Sequence, residues 1–124
     1  HCVCVHLSLF ARSRRRQMDA LAQYLDEVAE TDSPLIIAGD FNDWRNEASE
    51  LLAKRLDLEE VFGGIGGNAF PPGRSYPAKL PMLRLDRIYV RGLSVSSAFV
   101  HSGSPWSKIS DHAALSAHLL PRKK

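Results

Sequence analysis

Cysteine is nearly absent from this sequence, and the two that occur, Cys2 and Cys4, stand two apart. That spacing suits neither a CxxC redox motif nor a zinc knuckle, and it cannot staple a small secreted fold. Two buried free thiols and a reducing, cytoplasmic setting are the expectation. No apolar run approaches the roughly 18 residues that cross a bilayer, so no transmembrane segment is expected, and no signal-peptide pattern is present. A strong excess of one charge sign is lacking as well. The net balance is +2, with positive groups gathered at Arg12, Arg14, Arg15 and Arg16 and again at Arg122, Lys123 and Lys124. Such clusters can meet phosphates, but most are solvated faces or tails. Internal repeats, low-complexity tracts and linkers are also missing. What remains is a globular balance of 44% hydrophobic and 24% charged residues in 124 positions, enough for one domain that buries a core if all its faces are covered. The chain opens on His1 in mid-strand without an initiator methionine, and reads as a piece of something longer.

The central stretch is Leu35-Ile36-Ile37-Ala38-Gly39-Asp40-Phe41-Asn42, an apolar run that ends in a glycine, a carboxylate and a carboxamide. It suits a strand covered on both faces that delivers Asp40 and Asn42 to its carboxyl end, where layered α/β folds bind ligands. Gly39 lets the backbone turn sharply or approach a ligand closely. Before it, residues 1–10 alternate strictly, with Val3, Val5, Leu7 and Leu9 facing one way and Cys2, Cys4, His6 and Ser8 the other, which predicts a strand. Residues 12–30 carry Met18, Leu21, Ala22, Leu25, Val28 and Ala29 at helical spacing, an amphipathic helix whose opening arginines oppose its dipole. Asn46 reads as the N-cap of a second helix bearing Ala48, Leu51, Leu52 and Leu56, with Leu58, Val61 and Phe62 beneath it. The glycine-rich residues 63–68 follow no strand and open no helix, so they read as a surface loop rather than a phosphate loop.

After a possible short edge strand at 74–77, residues 83–91 place Leu85, Arg87, Tyr89 and Arg91 on one face and Asp86, Ile88 and Val90 on the other. A carboxylate on an apolar face is costly to desolvate, so Asp86 requires a cation, a histidine or a metal as partner. A strand at 93–101 with Val95 and Phe99 inward, a loop at 104–110 holding Trp106, and a last strand from about His112 to Leu120 complete an α/β layered chain that ends in an antiparallel part.

The polar residues at strand ends are His6, Asp40, Asn42, Asp86, Asp111 and His112. Three carboxylates, a carboxamide and two imidazoles can assemble a metal-assisted attack of water on a phosphate. Magnesium takes carboxylate oxygens and water, and a carboxylate or imidazole orients or deprotonates the nucleophile. A zinc hydrolase is disfavoured because no HxHxDH or HExxH cluster occurs, and His1, His101 and His118 read as ordinary residues.

Four motifs, His6-Leu7, Gly39-Asp40-Phe41-Asn42, Leu85-Asp86-Arg87-Ile88 and Ser110-Asp111-His112, resemble in order and spacing those of the endonuclease/exonuclease/phosphatase superfamily, which includes deoxyribonuclease-I-like and exonuclease-III-like enzymes. The resemblance covers nearly the whole chain but only the family's carboxy-terminal half, residues 1–124 being that half. It implies part of a four-layer α/β-β/α sandwich, a mixed sheet with helices on the outer face. It also implies divalent-metal-dependent hydrolysis of a phosphate ester, nucleic acid among the candidates, with Mg2+ or Mn2+ as cofactor. By resemblance, Asp40 would position or deprotonate the attacking water, and Asn42 would help hold the phosphate and that water. Asp86 would pair with His112, whose ring contacts the phosphate; Asp111 would lie at the metal with Asp40, and His6 would donate to a phosphate oxygen. Arg14 to Arg16, Arg74 and Arg87 could serve phosphate binding, with surface solubility put first for the Arg14 to Arg16 run, and Trp44, Tyr76 and Trp106 could contribute contacts from loops.

The family's amino-terminal asparagine and metal-binding glutamate have no counterpart here, which implies weak magnesium binding by this chain alone. The rival reading is a non-catalytic half-domain that binds a partner. An apolar sheet face left uncovered invites self-association, so a homodimer packed sheet on sheet is expected. Light scattering at high protein concentration should return twice the monomer mass, and a clean monomer would refute it.

Overall fold

A computed structural model describes residues 1–30, 32–62 and 72–122. The stretch 63–71, together with Thr31, Lys123 and Lys124, lies outside the described residues, as does the Ala48 side chain. The elements follow as β1 (Cys2–His6), α1 (Ala11–Val28), β2 (Leu35–Asp40), α2 (Glu47–Leu56), β3 (Glu59–Glu60), β4 (Asp86–Arg91), β5 (Leu93–His101) and β6 (Ala114–Pro121), with one 3-10 turn at Trp106–Lys108. Strands β1-β2-β4-β3 form a mixed sheet in that order, β1 and β2 parallel and β4 antiparallel to both β2 and β3. Strands β5 and β6 pair as a separate antiparallel hairpin.

Period-two alternation sends each strand's side chains to two different cores. On one face Val3, Val5, Leu7, Leu35, Ile37 and Tyr89 pack against Met18, Ala22 and Leu25 of α1 and Leu52 and Leu56 of α2. On the other, Ile36, Ile88 and Val90 meet the inner face of the hairpin. The molecule is therefore helices, mixed sheet and hairpin in layers, the α/β architecture expected, with its helices outside. The two-residue strand β3 was not anticipated, because no periodicity can register in Glu59-Glu60.

Several details differ from the sequence expectation. The first strand stops at His6 instead of continuing to Phe10. Beyond Leu7, whose N–H still reaches the Asp40 carbonyl at 2.8 Å, the Ser8 N–H donates to the Gln17 side chain at 2.8 Å and the chain turns into α1. Leu9 is left exposed. Cys2 and Cys4 are exposed rather than buried. They share the face of Ile36, but β1 is an edge strand and the hairpin packs over Ile36, Ile88 and Val90 without covering it. The bare sheet face expected from the sequence is thus reduced to β1. Val28 and Leu51 point outward from their helices. In β5 the register slips between Val95 and Ser97, so Ala98 and Val100 pack inward and Phe99 is exposed. A bulge reverses which alternate residues face the core, and alternation alone cannot reveal it.

Arg14, read first as a surface group, and Arg87, offered for phosphate binding, are both buried. The Arg14 guanidinium donates to the Ser8 and Leu9 carbonyls and lies 3.8 Å from Asp43. Arg87, 1% exposed, donates to the Asp43 carbonyl at 2.7 Å and to Ser49 Oγ. Neither is available to a phosphate. Asp43 also replaces Asn46 as the cap of α2: its Oδ2 accepts from the Ser49 N–H and Oγ, each at 2.8 Å, while Asn46 sits in the left-handed region and makes no capping bond to the backbone.

Gly39 is required by packing rather than by a ligand. Its φ is +142°, and a Cβ there would overlap the Val5 carbonyl oxygen of β1. A side chain would push apart the two parallel strands that carry His6 and Asp40. Gly39→Ala should cost about 3 kcal/mol, read as a lower urea midpoint at unchanged slope. An unshifted midpoint would show that the strands separate without strain.

Candidate active site

Strand register sets the site. His6 stands directly beside Asp40 across the β1–β2 pair, and Asp40 directly opposite Asp86 across the β2–β4 pair. All three end their strands at the same level of the sheet and on the hairpin side, the face of Ile36 and Val90. A fourth residue arrives from the chain entering β6: the His112 Nδ1 is 2.6 Å from Asp86 Oδ2, and its Nε2 is 3.9 Å from Asp40 Oδ2. Ligand-type atoms of Asp40, Asp86 and His112 all lie within 4.8 Å of one another.

The supporting contacts are local. Asp40 Oδ1 accepts the Asn42 N–H at 2.9 Å, an Asx turn that fixes the carboxylate's orientation. Asn42 has φ of +50° and is buried, and its Nδ2 donates to the Leu7 carbonyl at 2.6 Å, tying the end of β1 to the end of β2. Ser75, fully buried, accepts the Asp86 N–H on its Oγ and the Ala113 N–H on its carbonyl, so one residue clamps both halves of the Asp86–His112 pair. The Tyr76 ring lies 5.1 Å from the imidazole. Ser75 was missed in the sequence, since a serine in a short loop carries no chemical signature; only its position next to Tyr76 hints at the site.

Of the six candidate residues, Asp40, Asp86 and His112 form the compact group. His6 flanks it, its Nε2 3.8 Å from Asp40 Oδ2 and its side chain 82% exposed. Asn42 lies beneath Asp40, with its amide nitrogen committed to Leu7. Asp111 is exposed and outside the 4.8 Å group, although its charge reaches His112. A cleft of about 380 Å³ lined by Asp86, His112, Ser110 and Leu115 opens onto the cluster. Trp44, exposed two positions past Asn42, carries the Arg45 guanidinium 4.7 Å above its ring.

Residues 2–112 match the Endonuclease/Exonuclease/phosphatase family. The chain belongs to this family. It is 40% identical over 119 residues to the uncharacterized protein YbhP of Escherichia coli, covering 96% of this chain and 46% of that one. A functionally unknown conserved protein from Enterococcus faecalis has a similar structure, with a TM-score of 0.75 at 22% identity over 98% of this chain and 50% of that one. So does a mannosyl-6-phosphatase from Bacteroides thetaiotaomicron, with a TM-score of 0.71 at 16% identity over 94% and 49%. Likeness at such identities establishes the fold, part of a deoxyribonuclease-I-like sandwich. The chain spans less than half the length of the curated relatives it matches. No described helix is long and apolar enough to cross a membrane.

The donor set fits a divalent cation. Partial burial raises the Asp40 pKa, and the nearby Asp86 charge adds to this against the opposing Asn42 N–H and the imidazoles. Burial and the Asp86 charge thus disfavour the Asp40 anion, a cost that a cation would relieve. Magnesium binds through one or two carboxylates and keeps waters or substrate phosphates in its other positions, which suits a partly open site with few protein oxygens.

Partial burial by itself favours the neutral His112 ring, but the Asp86 hydrogen bond and the charges of Asp86, Asp40 and Asp111 outweigh it and hold the pKa above its ordinary value. A raised folded-state pKa means that the ring contributes stability fully below the unfolded value of about 6.5 and loses it as pH rises through the folded value. Asp86→Asn should therefore lower the His112 pKa in an NMR titration and flatten the loss of stability above that pH. An unchanged titration would separate the two residues.

Proposed function

We propose that the parent protein is a divalent-metal-dependent phosphoester hydrolase in which this chain supplies the carboxy-terminal half of the catalytic domain. The observation that carries the reading is the convergence of Asp40, Asp86 and His112, drawn from three separated parts of the sequence, within 4.8 Å. Mg2+ or Mn2+, held by Asp40 and Asp111, would polarise the phosphoryl group and neutralise its charge.

The remaining roles belong to this chain's own side chains. Asp40, oriented by the Asn42 N–H, accepts a proton from the attacking water or positions it. Asp86 takes the His112 Nδ1 proton as a hydrogen bond, so the Nε2 faces Asp40 and the cleft and is the atom that contacts a phosphate oxygen. A protonated ring there stabilises the anionic phosphate through the charge that Asp86 offsets. His6, largely exposed beside Asp40, donates to a second phosphate oxygen. Asn42 holds the phosphate-facing turn in place through Leu7, and contacts substrate through the amide oxygen that this bond leaves free. The substrate is a phosphate ester, with nucleic acid among the candidates. The exposed thiols of Cys2 and Cys4 suit a reducing, cytoplasmic location.

Bis(p-nitrophenyl) phosphate hydrolysis by the full-length protein tests this. Asp40→Asn and Asp86→Ala should each lower kcat about a thousandfold, chelation should stop turnover, and His118→Gln should leave it unchanged. Near-normal turnover by either aspartate variant would overturn these roles.

A further inference from the structure

A second cleft adjoins the catalytic cluster and carries the opposite charge. About 400 Å³ in volume, it lies between residues 77–79 and the segment 107–111, which begins within the 3-10 turn. Pro77, Ala78 and Ile109 form apolar walls, and Ile109 is 74% exposed with nothing packed over it. Lys79 and Lys108 line it from opposite segments, and neither has an ion-pair partner among the described residues. Ser110 lines both this cleft and the one that holds Asp86 and His112, so the two spaces adjoin at that residue. The segments are held together by the Ala78 N–H, which donates to the Asp111 carbonyl at 2.8 Å.

Two exposed lysines lining one partly apolar cleft favour an anion on a carbon framework. Asp111 at the inner end contributes one negative charge, which leaves a net positive subsite. Resting on the hydrolase reading above, we infer that Lys79 and Lys108 bind a second phosphate of the substrate while the first lies at Asp40 and His112, so that the preferred substrates carry two phosphate groups. Pro77, Ala78 and Ile109 then receive the carbon framework between them. Lysine suits this place because its ammonium is a mobile point charge that can follow phosphates at different spacings.

Binding of two non-hydrolysable probes to the full-length protein, propane-1,3-bisphosphonate and propylphosphonate, measured by calorimetry in excess Mg2+, tests the inference without chemistry. The wild type should bind the bisphosphonate about tenfold more tightly, the size that two solvent-exposed charge contacts supply together. In Lys79→Ala/Lys108→Ala the ratio should fall to within about twofold, and Lys79→Arg/Lys108→Arg should keep it. Equal affinities in the wild type, or a preference undiminished in the alanine pair, would overturn the subsite. Failure of the wild type to hydrolyse bis(p-nitrophenyl) phosphate would instead overturn the hydrolase reading, because the binding ratio is read without turnover.

Discussion

Two carboxylates, Asp40 and Asp86, are set directly opposite each other by the pairing of β2 with β4, and the site depends on what makes that arrangement tolerable. Like charges in register across antiparallel strands destabilise a sheet, and a pair of unit charges 4 Å apart interacts by about 4 kcal/mol near a protein surface. The imidazole of His112, 2.6 Å from one carboxylate and 3.9 Å from the other, offsets that repulsion from the hairpin side. Because neighbouring residues in the register share a face, His6 joins the same row from β1. A one-residue slip of any of these strands would send its functional side chain into the helix-side core and disperse the cluster.

The opposite face of the sheet explains why the register holds. There Arg87, next to Asp86 in sequence but on the other side of β4, reaches the Asp43 carbonyl and Ser49. Asp43 in turn caps α2 and faces Arg14 of α1. One buried charged network thus ties β4, the loop after β2 and the starts of both helices. Breaking such a pair by removing one partner costs about 3–5 kcal/mol, because the remaining charge stays buried. The same pentapeptide region that ends β2 consequently serves two purposes: Asp40 and Asn42 organise the site, and Asp43 anchors the scaffold below it.

Membership of the Endonuclease/Exonuclease/phosphatase family and the short reach along the relatives' length bear on how the site is completed. Asp40 and Asp111 would leave most positions around a hard cation to water and substrate oxygens. The edge strand β1, with Cys2 and Cys4 exposed on the face that the hairpin leaves uncovered, is the part of the sheet where further polypeptide or a second copy could pack. The geometry around Asp40 is already formed within this chain.

Much of this was legible in the residues themselves. Alternation in Cys2 to His6 and in Asp86 to Arg91, helical spacing around Met18 and Leu25, and the apolar run before Gly39 identify the strands and helices, because each side chain's face follows from backbone period alone. Asp86 on an apolar face already required a partner, and the resemblance named His112. Other features were invisible because they depend on contacts between distant segments. The bulge in β5 turned Phe99 outward, the hairpin stopped short of Cys2 and Cys4, and Arg14 and Arg87 found carbonyls and Asp43 in the interior instead of solvent or a phosphate. Ser75 became the clamp of the Asp86–His112 pair only once residues 74–78 came to lie across the strand. Periodicity determines which way a side chain faces; the packing of one layer on another decides what it meets there.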